Sequence, residues 1–119
     1  MIYELNIGLD VNGGDNSKQE RLARLSSLFA TFQWPADPLE YKVVGGLDST
    51  DEPALYVRID LDVMAMIDLG WQLCDFLNQD CIAVYIPEQR AGLLVGPRAA
   101  AWGEFNPEYF RRPAVAVAA

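Results

Sequence analysis

The apolar residues of this chain switch between a period of two and a period near 3.6. The order of the switches over residues 2–87 is strand, helix, strand, strand, helix, strand. Tyr3, Leu5, Ile7, Leu9 and Val11 stand at every second position, with Glu4, Asn6 and Asp10 between them. That alternation predicts a strand with one buried and one polar face. Asn12-Gly13-Gly14-Asp15 breaks it. Ser17 and Glu20 then form an S-x-x-E capping box, and Leu22, Leu25, Leu28, Phe29 and Phe32 follow at helical spacing. Lys18, Arg21 and Arg24 fall among the positions left for solvent. Trp34-Pro35 stops the helix, because proline lacks an N–H and restricts the residue before it.

The second half repeats this logic with the strands adjacent. Leu39–Val44 and Leu55–Leu61 alternate, separated by Gly45-Gly46 and the polar run Asp48–Pro53. Asp62 is the N-cap expected for a second helix. Met66, Ile67, Leu69, Leu73, Cys74, Phe76 and Leu77 give that helix a wide apolar face. Gly70 within it points to close packing on a sheet, and Asn78 suits a left-handed helix end. Ile82, Val84 and Ile86 form a fourth strand, and Gly92–Gly96 is a candidate short fifth one.

Two interleaved right-handed β-α-β units of this kind predict an α+β fold. It is a four-stranded antiparallel sheet in the order 4-1-3-2 with two helices on one face. Over residues 2–87 the element order resembles the ferredoxin-like sandwich. The resemblance lies in the order of elements and carries no functional residues with it. Residues 1–96 are read as one domain and 97–119 as a C-terminal tail, with a short helical turn starting at Asn106-Pro107. Trp102, Phe105, Tyr109 and Phe110 make the tail aromatic, so it is expected to dock on its own domain, with docking on a partner as the alternative.

Composition excludes several chemistries. Histidine is absent, which removes Ser-His-Asp and Cys-His nucleophile systems and every histidine metal site. Cys74 and Cys81 are expected to be small buried apolar side chains, and no metal or cofactor is expected. No basic, apolar leader precedes the first strand, and no apolar run is long enough to cross a bilayer, so a soluble, cytoplasmic protein is expected. The net charge is −8, and residues 37–80 hold ten acids against two bases. Such a surface repels nucleic acid and anionic membranes, and steers basic partners toward itself.

Motif-like strings fail on inspection. Asp10-Val-Asn12-Gly-Gly-Asp15 resembles the start of a calcium loop, but Gly14, Asp15 and Arg21 occupy positions where ligands or the turn glycine belong. The Gly13-Gly14 turn lacks a phosphate-binding pattern, and Asp10 and Asp15 would repel the anion. Asp60-Leu61-Asp62 is explained by a strand end and a helix cap, and nothing desolvates Glu4 or Asp60 as an acid/base pair. Alternation places Glu4, Asn6, Asp10, Lys42, Tyr56, Arg58, Asp60 and Tyr85 on the open sheet face. Arg58 is expected to pair there with Glu4 or Asp60. With Tyr56 the one aromatic that the central strands put on this face, it does not read as an RNA-stacking platform.

Two functional expectations follow. The first is a non-enzymatic protein-binding module whose surface is Asp48, Asp51, Glu52, Asp68, Asp75 and Asp80, facing a basic protein partner. A concrete form is an inhibitor that occludes the nucleic-acid-binding surface of its target, in the manner of anti-restriction, anti-CRISPR or immunity proteins. The alternative is a dimeric small-ligand-binding or enzymatic domain that uses Asn6, Tyr56, Arg58 and Tyr85 on the open face, with Trp102 as a lid.

Overall fold

A computed structural model describes residues 1–48 and 51–103. The predicted helical turn at Asn106-Pro107 and the docking of Phe105, Tyr109 and Phe110 lie outside these residues, as does the side chain of Trp102. The chain forms β1 (Ile2–Gly8), α1 (Lys18–Thr31), β2 (Glu40–Val44), β3 (Ala54–Asp60), α2 (Val63–Leu77), β4 (Ile82–Ile86) and β5 (Ala91–Val95). A short 3₁₀ turn at Pro87–Gln89 joins β4 to β5, and another at Ala99–Trp102 follows β5. The fold is α+β, with two helices and one antiparallel sheet. That sheet has five strands in the order β2-β3-β1-β4-β5, which differs from the four-stranded sheet expected. The difference arises at the turn after β4. Arg90 adopts a left-handed conformation (φ 49°) and reverses the chain, so that Ala91–Val95 pair with Ile86–Ile82 along β4's free side.

β1 is shorter than its alternation suggests. It stops at Gly8, because Val11 donates its N–H to Asn16 Oδ1 at 2.8 Å and no longer to a neighbouring strand. The alternation otherwise sets the layers. Tyr3, Leu5, Ile7, Leu55, Val57, Ile59, Ile82 and Val84 are buried in one core with Leu25 and Leu28 of α1 and Met66, Leu69, Leu73 and Leu77 of α2. Each such aliphatic side chain stabilises the fold by roughly 1.5–3 kcal/mol through burial.

Caps fix the helix ends. Ser17 Oγ accepts from the Glu20 N–H at 3.3 Å, but Asp15, rather than Glu20, takes the Ser17 N–H, at 2.9 Å. Asp62 accepts from the Ala65 N–H at 2.8 Å and starts α2. Asn78 ends α2 at φ 52°, and its neighbour Gln79 donates back to the Cys74 carbonyl at 2.9 Å. Gly70 is required by proximity, since a Cβ there would lie 2.6 Å from Val95 Cγ1. The bare backbone lets α2 settle onto β4 and β5.

Arg21 departs most from expectation. It is buried, at 6% exposure, where the sequence pattern assigned it to solvent. Its Nε and Nη2 grip both oxygens of Asp10 at 2.6 and 2.8 Å, and Nη1 donates to the Leu47 carbonyl at 2.7 Å. The cue was present in the sequence. Arg21 stands four residues before Leu25 and seven before Leu28, on the core-facing stripe of α1. Asp10 is thereby drawn off the open sheet face to which alternation assigned it, and the Gln79 side chain donates to its backbone carbonyl at 2.6 Å.

Candidate functional site

The open sheet face is a grid set by register. Across one row lie Glu40, Arg58, Glu4, Tyr85 and Gly92; across the next lie Lys42, Tyr56, Asn6, Ala83 and Leu94. Asn6, Tyr56, Arg58 and Tyr85 are therefore brought together in two adjacent rows, all half-buried. The pairing of Arg58 differs from expectation. Its Nε lies 3.6 Å from Glu40 Oε2, on the edge strand. Asp60 is held instead by the Met1 ammonium at 2.9 Å, and Glu4 Oε1 accepts from the Tyr56 hydroxyl at 2.7 Å. Burial, then this hydrogen bond to Glu4, pushes the Tyr56 hydroxyl well above the usual phenol range. Lys42 Nζ sits 5.0 Å over the Tyr56 ring and 3.7 Å from Glu40. Beside Arg58 is an open hollow of about 310 Å³, lined by Ile2, Glu4, Arg58, Pro87 and Glu88. The Arg58 Nε, on the Glu40 side, is buried and too far from that carboxylate for a hydrogen bond.

The six acids of the expected partner surface occupy three places. Asp48, Asp51 and Glu52 lie on the loop between β2 and β3, all exposed. Asp48 is 3.6 Å from Lys18 at the start of α1. The Glu52 carboxyl is held above the ordinary carboxylate range, first by burial and then by the negative charge of Asp10, with Arg21 opposing. One of its oxygens lies 3.0 Å from where a Cβ on Gly8 would stand, at the end of β1. Asp80, half-buried after α2, is 3.9 Å from Arg98.

Asp68 and Asp75 differ from Asp48 and Asp80, which are paired. They lie exposed on α2, and among the described residues neither forms an ion pair. α2 contains no Lys or Arg. With Met64 and Trp71 these acids follow the spacing i, i+4, i+7, i+11, which places the four on one stripe of the helix opposite its buried face. Met64 is 70% and Trp71 50% exposed. Met64 and Trp71 are the residues the sequence reading missed. Their signal was the same helical spacing, read for the outer face instead of the core.

Other candidates separate from the chemistry they resembled. Cys74 is buried, its Sγ 3.7 Å from the Val95 carbonyl, and burial pushes its thiol up to about 11. Cys81 is half-buried and its thiol is also raised by burial, so neither is an activated nucleophile. The loop after β1 is closed by Asn16, whose side chain bonds both the N–H and the carbonyl of Val11 at 2.8 and 3.0 Å. Arg24 also bonds the loop, through the carbonyls of Leu9 and Asp15. Among the described residues no three His, Cys, Asp or Glu side chains are grouped to hold a metal ion, and no helix is long and apolar enough to cross a membrane.

Comparison of the chain with protein-family models, with curated proteins and with solved structures gave no match.

Proposed function

We propose that this protein is a small, acidic, non-enzymatic protein-binding module whose outer α2 face docks on a basic surface of a target protein. The observation that carries this reading is the stripe Met64, Asp68, Trp71, Asp75, where exposed apolar side chains alternate with acids that lack an ion pair among the described residues. Large apolar side chains at the centre of an interface supply most of its affinity, and the surrounding charges supply orientation and partner choice. Nucleic-acid-binding grooves are strongly basic, so occlusion of such a groove is the concrete activity we assign. The strand order supports reading residues 2–86 as a ferredoxin-like unit extended by β5.

The test is capture from host lysate at low and moderate salt, comparing the wild type with the charge reversals Asp68→Lys/Asp75→Lys and Asp48→Lys/Asp51→Lys/Glu52→Lys. The expected result is one stoichiometric basic partner, lost with the α2 reversal and retained with the loop reversal. Retention of that partner by the α2 reversal would overturn this reading.

A second reading has one observation in its favour. The hollow lined by Arg58, Glu4 and Glu88 supports a small polar ligand on the open sheet face. Under this reading Arg58→Ala abolishes ligand-induced thermal stabilisation in a metabolite screen. A hit unaffected by that substitution would remove Arg58 from the site.

A further inference from the structure

The α2 stripe of Met64, Asp68, Trp71 and Asp75 points away from the sheet. An occupant that suits it brings apolar contact and positive charge together. One such run lies in this chain. Residues 109–112 read Tyr-Phe-Arg-Arg, two aromatics followed by the only adjacent pair of bases in the sequence. Glu104 and Glu108, the other charged residues beyond Gly103, precede this run. Residues 104–119 lie outside the described ones, so the argument for their place rests on where the described chain leads and on what α2 offers.

The described chain leaves β5 beside the C-terminal end of α2. Gly96 is pressed against that end, since a Cβ there would lie 2.8 Å from Cys74 Sγ. The Arg98 N–H donates to the Asp80 carbonyl, just past α2, at 2.9 Å. Asp75 and Trp71, in the later half of α2, are the nearest part of the stripe. Residues 104–110, when extended, reach about 23 Å, whereas α2 with its side chains is about 10–12 Å across. That length carries residues 109–112 round to the outer side of the helix.

A second exposed apolar patch suits this segment less. The Phe29 and Tyr41 rings lie 5.0 Å apart on α1 and on β2, at the sheet edge opposite β5. Glu40, the acid next to Tyr41, is already close to Lys42 and Arg58. Both reach and free negative charge favour α2.

We propose that residues 109–112 dock on the α2 stripe of their own chain, aromatics against Met64 and Trp71 and arginines against Asp68 and Asp75, so that a target must displace an internal competitor. This rests on the protein-binding reading above and adds the regulation of that site. Arginine pairs with carboxylates and stacks on tryptophan. Exposed ion pairs contribute only about 0–1 kcal/mol, so the tether holds the contact more than its strength does, and a partner can open it. A stripe open about one third of the time weakens a partner's apparent affinity about threefold.

The test is hydroxyl-radical footprinting of the full chain, read residue by residue by mass spectrometry. Met64 and Trp71 should oxidise about threefold faster in Arg111→Glu/Arg112→Glu than in the wild type. Phe29 and Tyr41 should not change, which also verifies that the variant is folded. Asp68→Lys/Asp75→Lys should expose Met64 and Trp71 to the same degree, and combining the two reversals should restore protection. The captured partner should bind Arg111→Glu/Arg112→Glu about threefold more tightly than the wild type. Equal oxidation of Met64 and Trp71 in the wild type and every variant, or no recovery in the combined variant, would overturn the contact. So would protection found at Phe29 and Tyr41 in its place, or protection that grows with protein concentration, which would assign the stripe to a second copy. None of these outcomes touches the binding-module reading, which capture with the α2 reversal decides. A partner retained by that reversal would overturn the binding reading, and the competition with it, while the footprint would still report the contact.

Discussion

The acids around Asp10 and the acids on α2 belong to the same net charge and use it in opposite ways. At the end of β1, Asp10 is bonded through both oxygens to Arg21, and nearby Asp48 lies close to Lys18. Here charge closes loops onto the core. On α2, Asp68 and Asp75 stand in solvent beside Trp71, with no base anywhere on the helix. The comparison teaches that a net charge of −8 measures no binding surface by itself. What matters is which carboxylates the fold has left without a counter-charge.

The largest effect that can break this contrast is at Arg21. Arg21→Met leaves the Asp10 carboxylate half-buried without its bidentate partner and the Leu47 carbonyl without its donor. Breaking such a pair from one side costs about 3 kcal/mol. In urea denaturation the midpoint should fall sharply. The α2 double variant Asp68→Asn/Asp75→Asn should stay within about 0.5 kcal/mol of the wild type. Equal losses in the two variants would mean that the α2 acids also hold the fold together.

The next effect sharpens the other half of the comparison. Trp71→Ala removes an exposed side chain and should change folding stability little. An anchor at the centre of an interface is worth about 2 kcal/mol or more, so affinity for the captured partner should drop roughly 30-fold. Titration calorimetry on the purified pair reads this directly. An unchanged affinity would move the interface off α2.

Smaller again is Lys18→Ala, which removes an exposed partner from Asp48 at 3.6 Å. Exposed pairs of this kind contribute about 0–1 kcal/mol and fade with salt. The thermal midpoint should fall by a degree or two at most at low ionic strength, and by less in high salt. A larger, salt-insensitive loss would place this pair with Arg21 as part of the structural core.

The sequence made the architecture legible where side-chain period and backbone chemistry agreed. Alternation placed β1, β3 and β4, Asp62 and Asn78 marked the ends of α2, and Gly70 announced the close approach to Val95. It failed where a polar residue sat on an apolar stripe. Arg21 was assigned to solvent by its chemistry although its position matched Leu25 and Leu28, because hydropathy cannot see the Asp10 carboxylate eleven residues earlier. Pairing on the open face was half legible. Alternation put Arg58, Glu4 and Asp60 on one side, but strand order decided that Arg58 would meet Glu40 and that Asp60 would meet the chain's own ammonium. The six candidate acids were legible as charge and illegible as a surface, since ion pairing depends on distances that no linear pattern encodes.

Glu52 lies on the boundary between the two regions and gives the finest test. It is on the exposed loop, yet its carboxyl is held above the ordinary range, mainly by burial and next by Asp10. The folded protein therefore holds the Glu52 proton more tightly than the unfolded chain does. Its contribution to stability is fully present below the unfolded carboxylate pKa of about 4.3 and is lost as pH rises through the raised folded value. Glu52→Gln removes that loss. The thermal midpoints of variant and wild type should converge near pH 4, and the variant should become slightly more stable as pH approaches 7. The gain is small because solvent reaches the side chain. A difference that does not vary with pH would mean that Glu52 is free of Asp10 and burial, and belongs with Asp68 and Asp75 among the acids available to a partner.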